Sequence, residues 1–258
     1  MNFPKEVKIV EVGPRDGFQS IKEWIPTKLK LEVITSLFEA NLKNMEITSF
    51  VHPKAIPQMK DAKDVVKEVL DKYNDVEMIA LVPNFVGAET AWKGGVKQIT
   101  YVISASERHN MENVRRTIEE SFAELASLKD QIPDLKIKLD IATVFGCPFL
   151  GDIPVKQVFQ MIDNGIAIGV DEICLCDTIG IANPKQVDDI LTQIKVRYPD
   201  RVFSLHLHDT RGMGLANTLV ALQKGITIFE SAIGGLGGCP FAPGAAGNIA
   251  TEDLVFMF

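Results

Sequence analysis

The segment Leu205-His206-Leu207-His208-Asp209 sets two imidazoles two residues apart in β-forming sequence, and side chains at i and i+2 of a strand leave the same face. Both rings therefore lean toward one point, the arrangement a divalent cation asks of a histidine pair; the plain alternative is a pair of hydrogen-bonded, partly exposed histidines. Far upstream, Glu11-Val12-Gly13-Pro14-Arg15-Asp16-Gly17 carries a carboxylate, Asp16, in what Gly13, Pro14 and Gly17 mark as a tight turn. Two nitrogens and an oxygen with open positions suit Mg²⁺, Mn²⁺, Fe²⁺ or Zn²⁺, and spacing alone does not rank them.

Other residues could work beside such a cation. Glu46 stands in the apolar run Met45-Glu46-Ile47-Thr48-Ser49, where a carboxylate is costly unless paired, and Arg15 is the partner at hand. Asp177 closes Cys174-Leu175-Cys176-Asp177; with Asp177 toward the site, alternation is expected to turn Cys174 and Cys176 toward the surrounding helices as inert packing. Gly234-Gly235-Leu236-Gly237-Gly238-Cys239-Pro240 and the run to Asn248 read as a hinged lid that carries Cys239, a proton-donor candidate. A dinucleotide fingerprint fails there, because Pro240 stands where the third glycine should fall. His52 and His109 read as ordinary polar residues.

The elements that must bring these groups together alternate along the whole chain. Strand patterns cover residues 7–13, 43–51, 76–82, 98–104, 135–146, 172–178, 202–208 and 228–234. Amphipathic helical patterns include Thr27 to Ala40, Asp61 to Tyr73, Met111 to Gln131, Pro184 to Tyr198 and Met213 to Lys224. Such units fit a closed barrel or a doubly wound open sheet. The polar residues discriminate: in a closed barrel strands 7, 8, 1 and 2 form one arc, so His206, His208, the glycine-rich segment, Arg15, Asp16 and Glu46 converge at the C-terminal mouth. A single α/β domain over residues 1–258, a (β/α)8 TIM barrel, is therefore expected, with a last helix starting near Thr251 that looks cut short.

A net charge of -7 and a pI near 5.2 speak against a nucleic-acid footprint or an anionic membrane surface as partner. No apolar run approaches a membrane span, and strand-like sequence from Val7 leaves no room for a signal peptide, so a soluble, cytoplasmic protein is expected. Four cysteines without a CxxC pair read as free thiols.

With these segments in view, the chain resembles the 3-hydroxy-3-methylglutaryl-CoA lyase family of metal-dependent barrel lyases. The likeness runs nearly end to end, through Glu11–Gly17, Phe50-Val51-His52-Pro53-Lys54 with Pro57-Gln58-Met59, Phe145-Gly146-Cys147-Pro148-Phe149, Asp177-Thr178-Ile179-Gly180, His206–Thr210 and Gly235–Pro240 through Gly247-Asn248. The resemblance implies cleavage of a 3-hydroxy-3-methylglutaryl-CoA-like thioester to acetyl-CoA and acetoacetate, with Mg²⁺ or Mn²⁺ held by Asp16, His206, His208 and the Asn248 side chain. It gives Arg15 the thioester enolate oxygen, sets Glu46 and Asp177 around metal and substrate, and puts Cys239 on a catalytic loop; His206 also counts among the catalytic candidates. Gln19, Lys22, Ser49 and Lys54 are the candidate substrate contacts, an acyl-CoA is the expected partner, and a homodimer is compatible with the sequence.

Cys174 and Cys176 stand where the family commonly has Ser and Gly, a departure that bears on the part of the substrate that leaves as a ketone. The rivals are a synthase condensing acetyl-CoA with a 2-oxo acid, a lyase for citramalyl-CoA or another 3-hydroxyacyl-CoA, an iron oxygenase built on the same ligands, and a barrel that binds acyl-CoA without turning it over. If Cys239 protonates the enolate carbon, Cys239→Ala slows turnover while metal binding is retained; an unchanged rate removes the thiol from the chemistry.

Overall fold

Eight short β-branched or apolar runs become eight parallel strands: β1 (Lys8–Glu11), β2 (Asn44–Ser49), β3 (Glu77–Val82), β4 (Gln98–Ser104), β5 (Lys136–Ala142), β6 (Glu172–Asp177), β7 (Phe203–Leu207) and β8 (Ile228–Ser231). They hydrogen-bond in sequence order and close through β1 and β8, where Lys8 to Glu11 register with Ile228 to Ser231. The computed structural model describes residues 3–73, 76–238 and 247–258. The expected closed barrel is the observed one.

Between the strands run α1 (Thr27–Glu39), α2 (Ala62–Lys72), α3 (Phe85–Lys93), α4 (Glu107–Val114), α5 (Ile118–Gln131), α6 (Val155–Ile168), α7 (Pro184–Arg197) and α8 (Gly214–Gln223), with α9 (Thr251–Met257) after β8. Their starts follow local chemistry. The Asn84, Ser106 and Asn183 side chains accept from backbone N–H groups at the openings of α3, α4 and α7, and Thr117 with Glu120 forms a capping box at α5.

The helix expected as one piece from Met111 to Gln131 is two. Arg115 adopts the left-handed conformation (φ 57°) and ends α4, and Thr117 caps a new start; local capping outcompetes the continuous apolar period. The first strand also stops early, at Glu11, because Gly13–Gly17 winds into a π-helical turn. None of the helices among the described residues is long and apolar enough to cross a membrane.

Both faces of the strands are buried, one under the helices and one inside the barrel, as parallel sheets require. On β5 the residues under the helices are Ile137, Leu139 and Ile141, all fully buried, whereas Lys138 and Asp140 point inward. Leu139 packs so closely on α6 that a Cβ on Gly165 would meet its Cδ2 at 2.8 Å. Leu139→Ala is therefore expected to lose about 2–5 kcal/mol of stability, and Gly165→Ala to be destabilising through overpacking; urea unfolding of both variants checks this.

Candidate active site

The π-helical turn after β1 is buried throughout and presents Arg15 and Asp16 side by side. The Arg15 guanidinium is a fork: Nη1 donates to Asp16 Oδ1 (2.6 Å) and Nη2 to Glu46 Oε2 on β2 (2.9 Å). The pairing expected for Glu46 is thus present. Burial works to discharge Arg15, but the carboxylates of Glu46 and Asp16 more than offset it and hold the guanidinium firmly protonated. Burial likewise works to raise Asp16, and Arg15 with His208 and His206 holds its carboxyl well below the usual range.

At the end of β7, His206 and His208 face the same side, with their Nε2 atoms 3.0 Å apart. The His208 Nε2 lies 3.7 Å from Asp16 Oδ2, and one donor atom from each of Asp16, His206 and His208 falls within 4.8 Å of the others. Two neighbouring ligands on an octahedral cation at about 2.1 Å stand about 3.0 Å apart, so the imidazole spacing fits such an ion. Asn248, in a β-bridge with His208, donates Nδ2 to Asp16 Oδ2 (2.7 Å) and to the Leu236 carbonyl (2.9 Å). Its Oδ1 is buried and has no partner among the described residues, which suits it to a fourth donor. Gly237 makes this approach feasible: at φ 119° it passes so close that a Cβ would sit 2.4 Å from Asn248 Nδ2 and 2.9 Å from Asp16 Oδ2.

Glu230 on β8 was not picked out by the sequence reading. Its Oε2 accepts from His206 Nδ1 (2.8 Å), which leaves His206 Nε2 as the free electron pair toward the cation position, and its Oε1 pairs with Lys138. Burial pushes the Glu230 carboxyl up, and Lys138 together with His206 brings it below its ordinary value. The signal was there to read: Glu230, like Lys138 and Asp140, is a charged residue alternating with apolar ones inside a strand. Glu11 was also missed; it accepts from the backbone of Gly13 (2.7 Å) and Ile233 (2.9 Å) and from Thr251 Oγ1 (2.6 Å), so it ties the turn after β1 to the segment after β8.

The orientation expected of β6 is reversed. Cys174 and Cys176 point into the barrel, each grouped with Asp140, and Cys176 lines the mouth cavity. Asp177, on the opposite parity, accepts from the backbone N–H of Ile181 (3.1 Å) and Ala182 (3.0 Å) and braces the β6–α7 loop. Both thiols sit above the ordinary cysteine range: burial raises Cys174, while Cys176, lowered by its contact with Cys174, is raised further by burial to about 11. Asp140, Cys174 and Cys176 also form a three-donor group, but the Lys138 ammonium, 3.6 Å from Asp140 Oδ1, opposes a second cation there.

A cavity of about 870 Å³ opens over this floor. Arg15, Asp16, Asp140, Cys176, His206 and His208 line its buried end, and His52, Lys54, Asn113 and Arg115 its exposed rim. Gln19 lines it too and donates to Asp16 Oδ1 (3.0 Å). Two residues read as ordinary are in it: His52 at the rim, and His109, which burial lowers to about 4. Two proposed substrate contacts are not: Lys22 is exposed away from the lining, and Ser49 is wholly buried beside it. Cys239 and most of the expected lid lie outside the described residues.

A closed (β/α)8 barrel with two imidazoles and a carboxylate gathered at the strand ends, beside an arginine fork and at the buried end of a cavity, defines an enzyme-type TIM barrel with a candidate divalent-metal centre. Residues 6–258 match the HMGL-like family, and the chain belongs to it. It is 46% identical to hydroxymethylglutaryl-CoA lyase YngG of Bacillus subtilis, spanning 100% of this chain and 86% of that protein. The crystal structure of the B. subtilis HMG-CoA lyase superposes with a TM-score of 0.95 at 46% identity, covering 100% of this chain and 87% of that one. An Acinetobacter baumannii HMG-CoA lyase in complex with coenzyme A and 3-methylmalate gives 0.93 at 40% identity, with 100% and 84% covered. With such relatives, the chain is a carbon–carbon lyase.

Because Glu230 sets the His206 ring, Glu230→Gln is expected to weaken Mn²⁺ binding about 10–100-fold. Titration calorimetry on protein with an unchanged circular dichroism spectrum checks it.

Proposed function

We propose that this lyase cleaves 3-hydroxy-3-methylglutaryl-CoA, or a close analogue, to acetyl-CoA and acetoacetate by a retro-Claisen reaction that uses Mg²⁺ or Mn²⁺. The observation that carries the reading is the convergence of Asp16, His206 and His208 from opposite ends of the chain beside the Arg15 fork. Identity of 46% across the whole chain to a hydroxymethylglutaryl-CoA lyase supports the substrate. A relative that holds coenzyme A supports an acyl-CoA in the cavity.

Asp16, His206, His208 and Asn248 would hold the cation. When bound, it supplies a Lewis acid that lowers the pKa of the substrate's tertiary hydroxyl and orients the bond to be broken. The hydroxyl proton passes to a base of this cluster: Asp16 is the ionised carboxylate beside the imidazoles, although Arg15 weakens it as a proton acceptor, and His206 is the alternative. The C2–C3 bond breaks as the alkoxide oxygen forms the ketone of acetoacetate, and its electron pair passes to C2 and on to the thioester oxygen as an enolate. Arg15 faces that growing charge, held by Glu46 so that no reorganisation is needed when charge develops. A proton delivered to C2 completes acetyl-CoA, and Cys239 is the assigned donor. Lys54 and Arg115 at the exposed rim suit the phosphates of the CoA arm.

The test is to incubate the chain with Mg²⁺, a reductant and 3-hydroxy-3-methylglutaryl-CoA and to measure acetoacetate. No acetoacetate at saturating Mg²⁺ or Mn²⁺ ends the reading. Arg15→Lys, whose point charge cannot reproduce the fork, is expected to keep Mn²⁺ and lose about 100–1000-fold in kcat; near-normal turnover would refute the role of Arg15.

A further inference from the structure

The side chain that closes the cavity beside the imidazoles has no part in this chemistry. Cys176 is 5% exposed and lines the cavity, whereas Cys174, two residues back on the same face of β6, is fully buried beneath it. Cys176 is therefore the layer at which β6 meets the cavity. In the strand register it stands directly beside His206 of β7, which lines the same end. Its Sγ leans back on Cys174, 4.0 Å from that Sγ and 3.9 Å from that carbonyl. The thiol is thus packed in place and presents a small apolar surface. Val102 of β4 and Ala142 of β5 continue the lining with hydrocarbon.

Position decides which part of a ligand meets this wall. His52, Lys54, Asn113 and Arg115 line an exposed rim, whereas Cys176 and His206 lie at the buried end. A long anionic arm must leave through the rim, so the short acyl end lies with Cys176. With the tertiary hydroxyl directed at Asp16, His206 and His208, the alkyl branch on the same carbon lies one bond away and must rest against whatever flanks those donors. On the β1 side they are flanked by the charged Arg15 fork and by Gln19. On the β6 side they are flanked by Cys176, and only that surface suits an alkyl group. An apolar pocket sorts such groups by size, one methylene being worth about 10- to 200-fold in kcat/KM.

We propose that Cys176 is a specificity-determining residue whose side chain meets the alkyl branch on the carbinol carbon of the substrate and limits that branch to a methyl. This rests on the lyase reading and names the part of the substrate that β6 selects. The thiol acts through its volume and not through its reactivity. Trimming it opens the space above Cys174 to a longer branch, and a bulkier side chain there takes up the room of the methyl itself.

Three thioesters that differ only in this branch make the test: 3-hydroxyglutaryl-CoA, 3-hydroxy-3-methylglutaryl-CoA and 3-ethyl-3-hydroxyglutaryl-CoA, each assayed with Mg²⁺ for acetyl-CoA release. The ratio of two kcat/KM values within one protein cancels the fraction of that protein which is folded. Wild-type protein is expected to favour the methyl over the ethyl compound by about 10-fold or more. Cys176→Gly, and Cys176→Ala should the glycine variant not fold, are expected to lower that ratio by about 10-fold. Cys176→Val is expected to shift the choice the other way, the unbranched compound gaining about 10-fold on the methyl one. A wild-type methyl-to-ethyl ratio near one overturns the proposal whether or not any variant folds. A ratio that stays at the wild-type value in the trimmed variant overturns it as well. Failure of the wild-type protein to cleave any of the three removes the lyase reading and this inference with it, a result distinct from cleavage without selection.

Discussion

Bringing ionised groups out of water at one end of a barrel is tolerable only if each finds its counter-charge, and that constraint organises this molecule. Arg15 lies between Asp16 and Glu46, and Glu230 between His206 and Lys138. Each pair is buried, so the desolvation of every charge is offset only while its partner stays in place. The pairs also hold the groups that would meet metal and substrate before either arrives, which is the preorganisation that electrostatic catalysis depends on. Closure of the barrel between β1 and β8 sets the geometry, because it brings the π-helical turn to the imidazoles of β7.

The turns that complete the site depend on the same closeness. Glu11 binds the backbone on both sides of the seam, at Gly13 and at Ile233, and reaches Thr251 at the start of α9. Gly237 lets the backbone graze Asp16 and Asn248. The segment after β8 therefore joins the cluster of Asp16, His206 and His208 through a position without a side chain and a buried carboxylate, and a bulkier residue at Gly237 would push apart Asp16 and Asn248.

The groups at the mouth come from different strands. The arginine fork and the imidazole pair come from the turn after β1, from β2 and from the end of β7, while Asp140, Cys174 and Cys176 come from β5 and β6. The wall touches the histidine strand directly, with Cys176 registered beside His206, and reaches it again through Lys138 and Glu230.

Eight strands, their order and the cluster of Asp16, His206 and His208 were legible in the sequence, because short-range alternation and turn chemistry are local and a barrel leaves its strand ends only one place to meet. The Arg15–Glu46 pair was legible for the same reason, a buried carboxylate having one nearby cation. Legibility failed where the period of two allows either parity: on β6 the presence of Asp177 suggested that the cysteines faced out, and the three-dimensional register puts them in. For Glu230 and Lys138 the sequence shows charged residues inside strands, but not that the two meet across the barrel, because their strands are far apart in the chain. Residue types and their alternation determined which groups the chain owns. Only the closing of the sheet, which chooses the inward face of every strand at once, decided which of them share a low-dielectric interior and must therefore pair, bind metal or wait for a ligand.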